Sequence, residues 1–192
     1  MNWETLLCLG DSITIGSRSY LGYPEYCGQH LSDKTKKSWN VVNHATSGFT
    51  TIDLVRSVDI SASNLRTCKP EVATILIGTN DLKNGTDISI FKTAYEQLVI
   101  KTQLIVGSKN IILLEIPELE RGVMLPYNIE MNSLIRKYNE VINTISADRG
   151  LMVIKLKSTA EQFYDGVYLN EEGSKDFGKQ IAEYILKLRG GH

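Results

Sequence analysis

VATILI, residues Val72–Ile77, runs directly into Gly78-Thr79-Asn80-Asp81. Six consecutive apolar or β-branched residues with no polar alternation predict a strand buried on both faces, which is the signature of a parallel sheet covered by helices. Similar runs lie on either side. Thr5–Leu9 (TLLCL) ends at Gly10, and Trp39–Val42 (WNVV) comes after a Lys-rich stretch, Asp33–Ser38, that reads as a solvated turn. Ile111–Ile116 (IILLEI) is stopped by Pro117, and Leu151–Ile154 is a short fifth strand.

Helical patterns separate these runs. Pro24 suits the first position of a helix running from about Glu25 to Leu31. A helix from Thr51 carries Ile52, Val55 and Val58 on one face. Asp87 is placed to cap a long helix bearing Ile88, Phe91, Tyr95, Leu98 and Ile105. Asn128 is placed to cap another, with Leu134, Ile135, Tyr138, Val141, Ile142 and Ile145 turned inward and Gly150 past its end. Gly173–Leu188 closes the chain as a helix, and Pro117–Tyr127 is the irregular connection. Strands alternating with helices require right-handed crossovers, so the expected fold is one doubly wound α/β domain over residues 1–192.

Composition narrows the function. A chain of 192 residues with 42% hydrophobic residues supports a sizeable core and excludes disorder. With 21 Lys+Arg against 22 Asp+Glu there is no basic footprint, so no nucleic-acid partner is expected. Cys8, Cys27 and Cys68 form neither a CxxC pair nor a metal-ligand spacing, and they read as free thiols of a reducing, cytoplasmic setting. Met1–Leu7 lacks the pattern of a signal peptide, and no apolar run nears the roughly 18 residues of a membrane span. No membrane association is expected.

In open parallel sheets ligands collect beyond the carboxyl ends of the strands. The first strand delivers Gly10-Asp11-Ser12 and then Gly16. The second delivers Asn43-His44-Ala45-Thr46-Ser47-Gly48, the third Gly78-Thr79-Asn80-Asp81, and the fifth, some way on, Asp165-Gly166-Val167-Tyr168. A hydroxyl, a glycine N–H, an amide and a carboxylate on one rim are the parts of an acyl-transfer site.

These blocks resemble the SGNH (GDSL-type) hydrolases. Gly10-Asp11-Ser12 with Gly16 matches the family's first block, Gly48 the glycine of the second, and Gly78-Thr79-Asn80-Asp81 the third, in order from about Leu9 to Gly178. The resemblance implies a flavodoxin-like three-layer α/β/α sandwich around a five-stranded parallel sheet ordered 2-1-3-4-5. It implies a small-molecule ester substrate, the small acyl ester of an alcohol or sugar, and neither a metal nor an organic cofactor. Ser12 would be the nucleophile, the Ser12 and Gly48 N–H groups and the Asn80 amide the oxyanion donors, and Asp165 the partner of the base. The family's last block is Asp-x-x-His, and here Asp165-Gly166-Val167-Tyr168 puts a tyrosine in the position of the family histidine. A phenol, with pKa near 10, is a poor base at neutral pH.

That departure leaves three outcomes. The chain is an esterase with an impaired or altered triad, or it uses another base (His44 after the second strand, or Asp165 directly or through water), or it binds a ligand without hydrolysing it. Plainer roles stand beside these. Ser12 also suits a helix cap, Asn80 an Asx turn, Gly48 a tight turn and His44 a packed imidazole, while Asp81 reads as a structural cap. His30 and His192 lie outside the pattern. Glu115, Glu118, Glu120 and Arg121 read as a solvated face. Tyr20, Tyr23 and Trp39 are aromatic enough to stack on a sugar, with ordinary packing as the alternative.

Overall fold

Five parallel strands form where the apolar runs lie: β1 (Trp3–Gly10), β2 (Ser38–Ala45), β3 (Val72–Leu76), β4 (Ile111–Leu114) and β5 (Met152–Ile154). The computed structural model describes residues 3–107 and 109–190, so His192 lies outside the described residues. The sheet order is β2-β1-β3-β4-β5, with every neighbouring pair parallel, as the resemblance implies. β3 and β4 are buried along their whole length, in keeping with their unbroken apolar sequence.

The helices are α1 (Ser12–Ile15), α2 (Tyr23–Thr35), α3 (Thr51–Thr67), α4 (Thr79–Asn84), α5 (Ile88–Val106), α6 (Asn132–Arg149) and α7 (Glu171–Gly190). α2 packs against α7, while α3 packs against α5 and α5 against α6. Chain direction explains the two groups. The path turns one way from β1 to β2 and the other way from β2 across β1 to β3, so right-handed crossovers send α2 and α3 to opposite faces. Phe91 and Tyr95 of α5 and Tyr138 of α6 are fully buried, and the Phe91 and Tyr138 rings stack at 4.2 Å.

Capping agrees closely with the sequence. Asp87 accepts from the Ser89 N–H to start α5, Thr50 and Asp53 form a reciprocal capping box on α3, and Gly150 ends α6 in the left-handed conformation. Other boundaries differ. α2 runs on through the Lys-rich stretch to Thr35, because Ser32 and Thr35 accept from the Trp39 backbone and indole N–H groups and so tie the helix end to β2. β2 continues to Ala45, which places His44 inside a strand rather than in the loop after it. Asn128 caps a 3-10 turn, Ile129–Met131, that leads into α6. Ile52 is 36% exposed, leaving Leu54, Val55 and Val58 as the inward face of α3. Tyr23 and Trp39 are core residues, which removes them as stacking platforms, whereas Tyr20 is exposed. Cys8 and Cys27 are buried, Cys68 is exposed, and all three are free. Among the described residues no helix is long and apolar enough to cross a membrane.

At the end of β1 the chain has room only for glycine. A Cβ added at Gly10 would meet the Thr14 hydroxyl oxygen at 2.0 Å and the Leu76 carbonyl oxygen at 2.6 Å. The missing side chain lets α1 fold back on β1 beside β3. Gly10→Ala is expected to lower stability by about 1–3 kcal/mol, read as a reduced urea midpoint at unchanged slope. An unchanged midpoint would show that α1 moves freely on β1.

Candidate functional site

Asp11 sits where β1 stops. In extended backbone it caps α1, its carboxylate accepting from the Ile13 N–H at 3.0 Å. Ser12 is the first residue of that single turn, which Gly16 ends in the left-handed conformation at φ 81°. Ser12 is nearly buried, and its hydroxyl donates to the Tyr168 hydroxyl at 3.3 Å across 156 residues of sequence.

The loops after β2 and β3 arrive from the other side. Asn80 is the second residue of α4, and its amide donates to the Phe49 carbonyl at 3.0 Å and, at a longer 3.4 Å, to the second oxygen of Asp11. Gly48 precedes Phe49 at φ 83°, exposed, with nothing within 4 Å of where a Cβ would lie. It therefore needs glycine for its backbone angle rather than for space. Asp81 is structural: one oxygen accepts from the Thr51 N–H and hydroxyl at 2.8 and 3.0 Å, pinning the start of α3 to α4. Its other oxygen is buried without a hydrogen-bond partner among the described residues.

Asp165 and Tyr168 come from a tight loop before α7. One oxygen of Asp165 accepts from the Val167 and Tyr168 N–H groups at 3.2 and 2.9 Å. Its other oxygen lies 4.0 Å from Nε of Arg18. Asp165 thus meets residue 168 at the backbone, not at the side chain. The loop is braced by a hydrogen bond from the Tyr164 N–H to the Tyr168 carbonyl at 2.7 Å, and by the segment after β4. There the Glu120 N–H donates to the Gly166 carbonyl at 2.9 Å, and a Cβ on Gly166 would meet Val123 at 3.1 Å.

Ser12, Asn80 and Tyr168 are thus brought together with Asp11, with Gly48 one residue from the Asn80 contact and Asp165 beneath the Tyr168 backbone. His44 is not joined to them by any hydrogen bond; its Nε2 pairs with the Ser57 hydroxyl of α3 at 3.0 Å, and burial holds its pKa below the usual value. His30 pairs with Glu183 on the α2–α7 face. Glu115, Glu118 and Glu120 line a groove of about 640 Å³ between the Pro117 segment and Lys155–Ser158. Among the described residues no group of His, Cys, Asp or Glu is arranged to hold a metal ion.

Two residues joined to this cluster escape the sequence reading. Arg18 lies with its guanidinium over the Tyr168 and Tyr164 rings, 5.4 and 5.9 Å from their centroids. Tyr127 is buried, and burial, with the Tyr168, Asp11 and Asp165 charges adding, raises its phenol well above the ordinary range. The only signal for Arg18 in the sequence is its proximity to the Gly10-Asp11-Ser12 block. Tyr127 has only its place as the aromatic end of the irregular segment.

Known proteins share this fold. The sequence pattern of the GDSL-like lipase/acylhydrolase family matches residues 8–175. A lipase/acylhydrolase from Enterococcus faecalis superposes with a TM-score of 0.79 at 20% identity, covering 97% of this chain and 96% of that one. Axe2, an acetylxylan esterase from Geobacillus stearothermophilus, gives 0.70 at 22% identity over 97% and 94%. The psychrotrophic esterase EstA from Pseudoalteromonas sp., in a structure inhibited by monoethylphosphonate, gives 0.71 at 19% identity over 98% and 100%. At these identities the structures share the fold. No curated protein sequence matches the chain.

Asp11 is the electrostatic liability of the cluster. Burial first, and then the neighbouring Asp81 charge, push its carboxyl up to about 7, against the opposing pull of the Ile13 N–H. A carboxyl raised in the folded state binds a proton that the unfolded chain has released, so its penalty is absent below about pH 4 and grows until about pH 7. At most this amounts to about 4 kcal/mol. Stability of the wild type relative to Asp11→Asn is therefore expected to fall as the pH rises from about 4 to about 7 and to level off above that, read from urea midpoints. His44 acts in the opposite sense below about pH 6.5, but equally in both proteins. Parallel pH profiles would mean that Asp11 does not carry the effect.

Proposed function

The chain belongs to the GDSL-like lipase/acylhydrolase family, and from that premise we propose that it is a serine-dependent ester hydrolase with an impaired triad. Its substrate class is a small acyl ester of an alcohol or carbohydrate. The observation that carries this reading is the Ser12–Tyr168 contact, which aims the serine hydroxyl at residue 168 at 3.3 Å. Ser12 attacks the ester carbonyl carbon, and the alcohol leaves as the tetrahedral intermediate collapses to an acyl-serine that water then hydrolyses. The oxyanion of that intermediate takes hydrogen bonds from the Asn80 amide and the Ser12 and Gly48 N–H groups. One such donor is worth about 2.7–4 kcal/mol. The long Asn80–Asp11 contact at 3.4 Å is the bond a substrate oxyanion would displace.

The weakness lies in proton removal. Tyr168 stands in the position of the family histidine, and a phenol accepts the serine proton poorly at neutral pH. Asp165, with one oxygen held by backbone N–H groups, supports the loop rather than a base. That same arrangement favours the second reading, a protein that binds an ester-like ligand without hydrolysing it. His44 as a substitute base is disfavoured by its bond to Ser57.

A fluorophosphonate probe separates the two. On the hydrolase reading it labels Ser12, and slow hydrolysis of 4-nitrophenyl acetate disappears in Ser12→Ala. Tyr168→His is expected to raise turnover of that ester by about 10²–10⁴-fold at pH 7.5, the usual contribution of a placed general base. A folded Tyr168→His protein with no gain, together with an unlabelled Ser12, would leave only the binding reading.

A further inference from the structure

We propose that Arg18 makes this site selective for esters that carry a carboxylate a short chain away from the scissile bond. The inference deepens the hydrolase reading and rests on it for the word ester. It stands on three observations about one side chain.

First, Arg18 is placed at the site. Its guanidinium carbon lies 5.4 Å from the centroid of the Tyr168 ring, and the hydroxyl of that ring is 3.3 Å from the Ser12 oxygen. The guanidinium therefore flanks the ring whose hydroxyl meets Ser12, and the proposed substrate would run from Ser12 along that ring towards it. Second, the guanidinium is attracted to two rings but not saturated with hydrogen bonds. It lies over the Tyr168 and Tyr164 rings, 5.4 and 5.9 Å from their centroids, and a cation–π contact uses none of its N–H donors. Those donors have weak partners. One Nη reaches the Ser17 carbonyl at 3.4 Å, and the Asp165 carboxylate is 4.0 Å from Nε, beyond hydrogen-bond length. The Asp165 oxygen that approaches Nε is Oδ2, while Oδ1 accepts from two backbone N–H groups and holds the carboxylate to its own loop. Third, the side chain is half-exposed, so an incoming group can reach it.

A planar fork of N–H donors matches a carboxylate in shape as well as charge. Asp165 partly neutralises the cation, which sets the expected preference at a modest level and keeps the loop together when no substrate is bound. A neutral ester would leave the donors to water.

Two matched substrate pairs test this, one on each side of the ester. Mono-4-nitrophenyl glutarate against 4-nitrophenyl valerate places the carboxylate on the acyl chain. 4-Acetoxybenzoate against phenyl acetate places it on the alcohol. The expected result is a kcat/KM ratio favouring the acidic member of at least one pair by about tenfold, carried mainly in KM and shrinking as salt screens the attraction. In Arg18→Gln and Arg18→Ala that ratio falls towards one, and Arg18→Lys restores part of it. Equal loss on acidic and neutral members would show that Arg18 only holds Tyr168 and Asp165, and would overturn the proposal, as would the absence of any preference in the wild type. If Ser12 resists the fluorophosphonate and nothing turns over, the hydrolase reading has failed separately. Calorimetric titration with monomethyl glutarate against methyl valerate, in wild type and Arg18→Gln, then decides the role of Arg18 alone.

Discussion

Parallel strands can be joined only by crossovers that carry the chain back before the next strand begins, so each strand releases its next residues at the same edge of the sheet. Here that geometric constraint sets Asp11 and Ser12 beyond β1, Gly48 and Phe49 beyond β2, and Asn80 beyond β3. β1 and β3 are direct neighbours, registered from Leu6 with Val72 to Gly10 with Leu76. Asp11 and Asn80, each a short step past that register, therefore come within a long hydrogen bond of each other at 3.4 Å. Residues 69 apart in sequence meet because the sheet order places their strands side by side.

What the sheet assembles it does not stabilise. Asp11 is almost wholly buried with its carboxyl pushed up to about 7, Asp81 keeps one oxygen buried and unpaired among the described residues, and both lie beside the strand ends. A core that maximised stability would hold neither charge. The compensation is elsewhere, in the apolar faces of β3 and β4 and in the stacked Phe91 and Tyr138 rings. The division places rigidity under the site and electrostatic tension in it.

Legibility in the sequence obeys the same division. VATILI and IILLEI declare buried parallel strands because burial on both faces leaves almost no place for a polar residue in the run. Asp87, Thr50 with Asp53, and Gly150 declare helix ends because each satisfies a local hydrogen bond or backbone angle. These are short-range requirements. The end of α2 is not legible in the same way, because Ser32 and Thr35 find their partner in Trp39, which belongs to the next strand. His44 reads as a loop residue in sequence, yet β2 keeps its pairing with β1 beyond the apolar run, as far as Ala45 opposite Gly10. Arg18 and Tyr127 carry no local mark, since what distinguishes them is the loop from the far end of the chain that folds over them.

The reach of one side chain explains why Asp165 and Arg18 are arranged as they are. An imidazole has a nitrogen on each side of its ring and can bridge a serine and a carboxylate at once. A phenol has one polar atom, at its tip. With that atom 3.3 Å from Ser12, the body of the Tyr168 ring presents only hydrocarbon and a π face to whatever lies behind it. A carboxylate has nothing to bond there, and Asp165 turns to the backbone N–H groups of residues 167 and 168. A cation, in contrast, is attracted to the π face, and Arg18 occupies it. Having taken that face, the guanidinium also lies near enough to Asp165 to offset its charge. The Tyr168 ring thus accounts for a positive group beside the Ser12–Tyr168 contact, one that a carboxylate alone could not hold there.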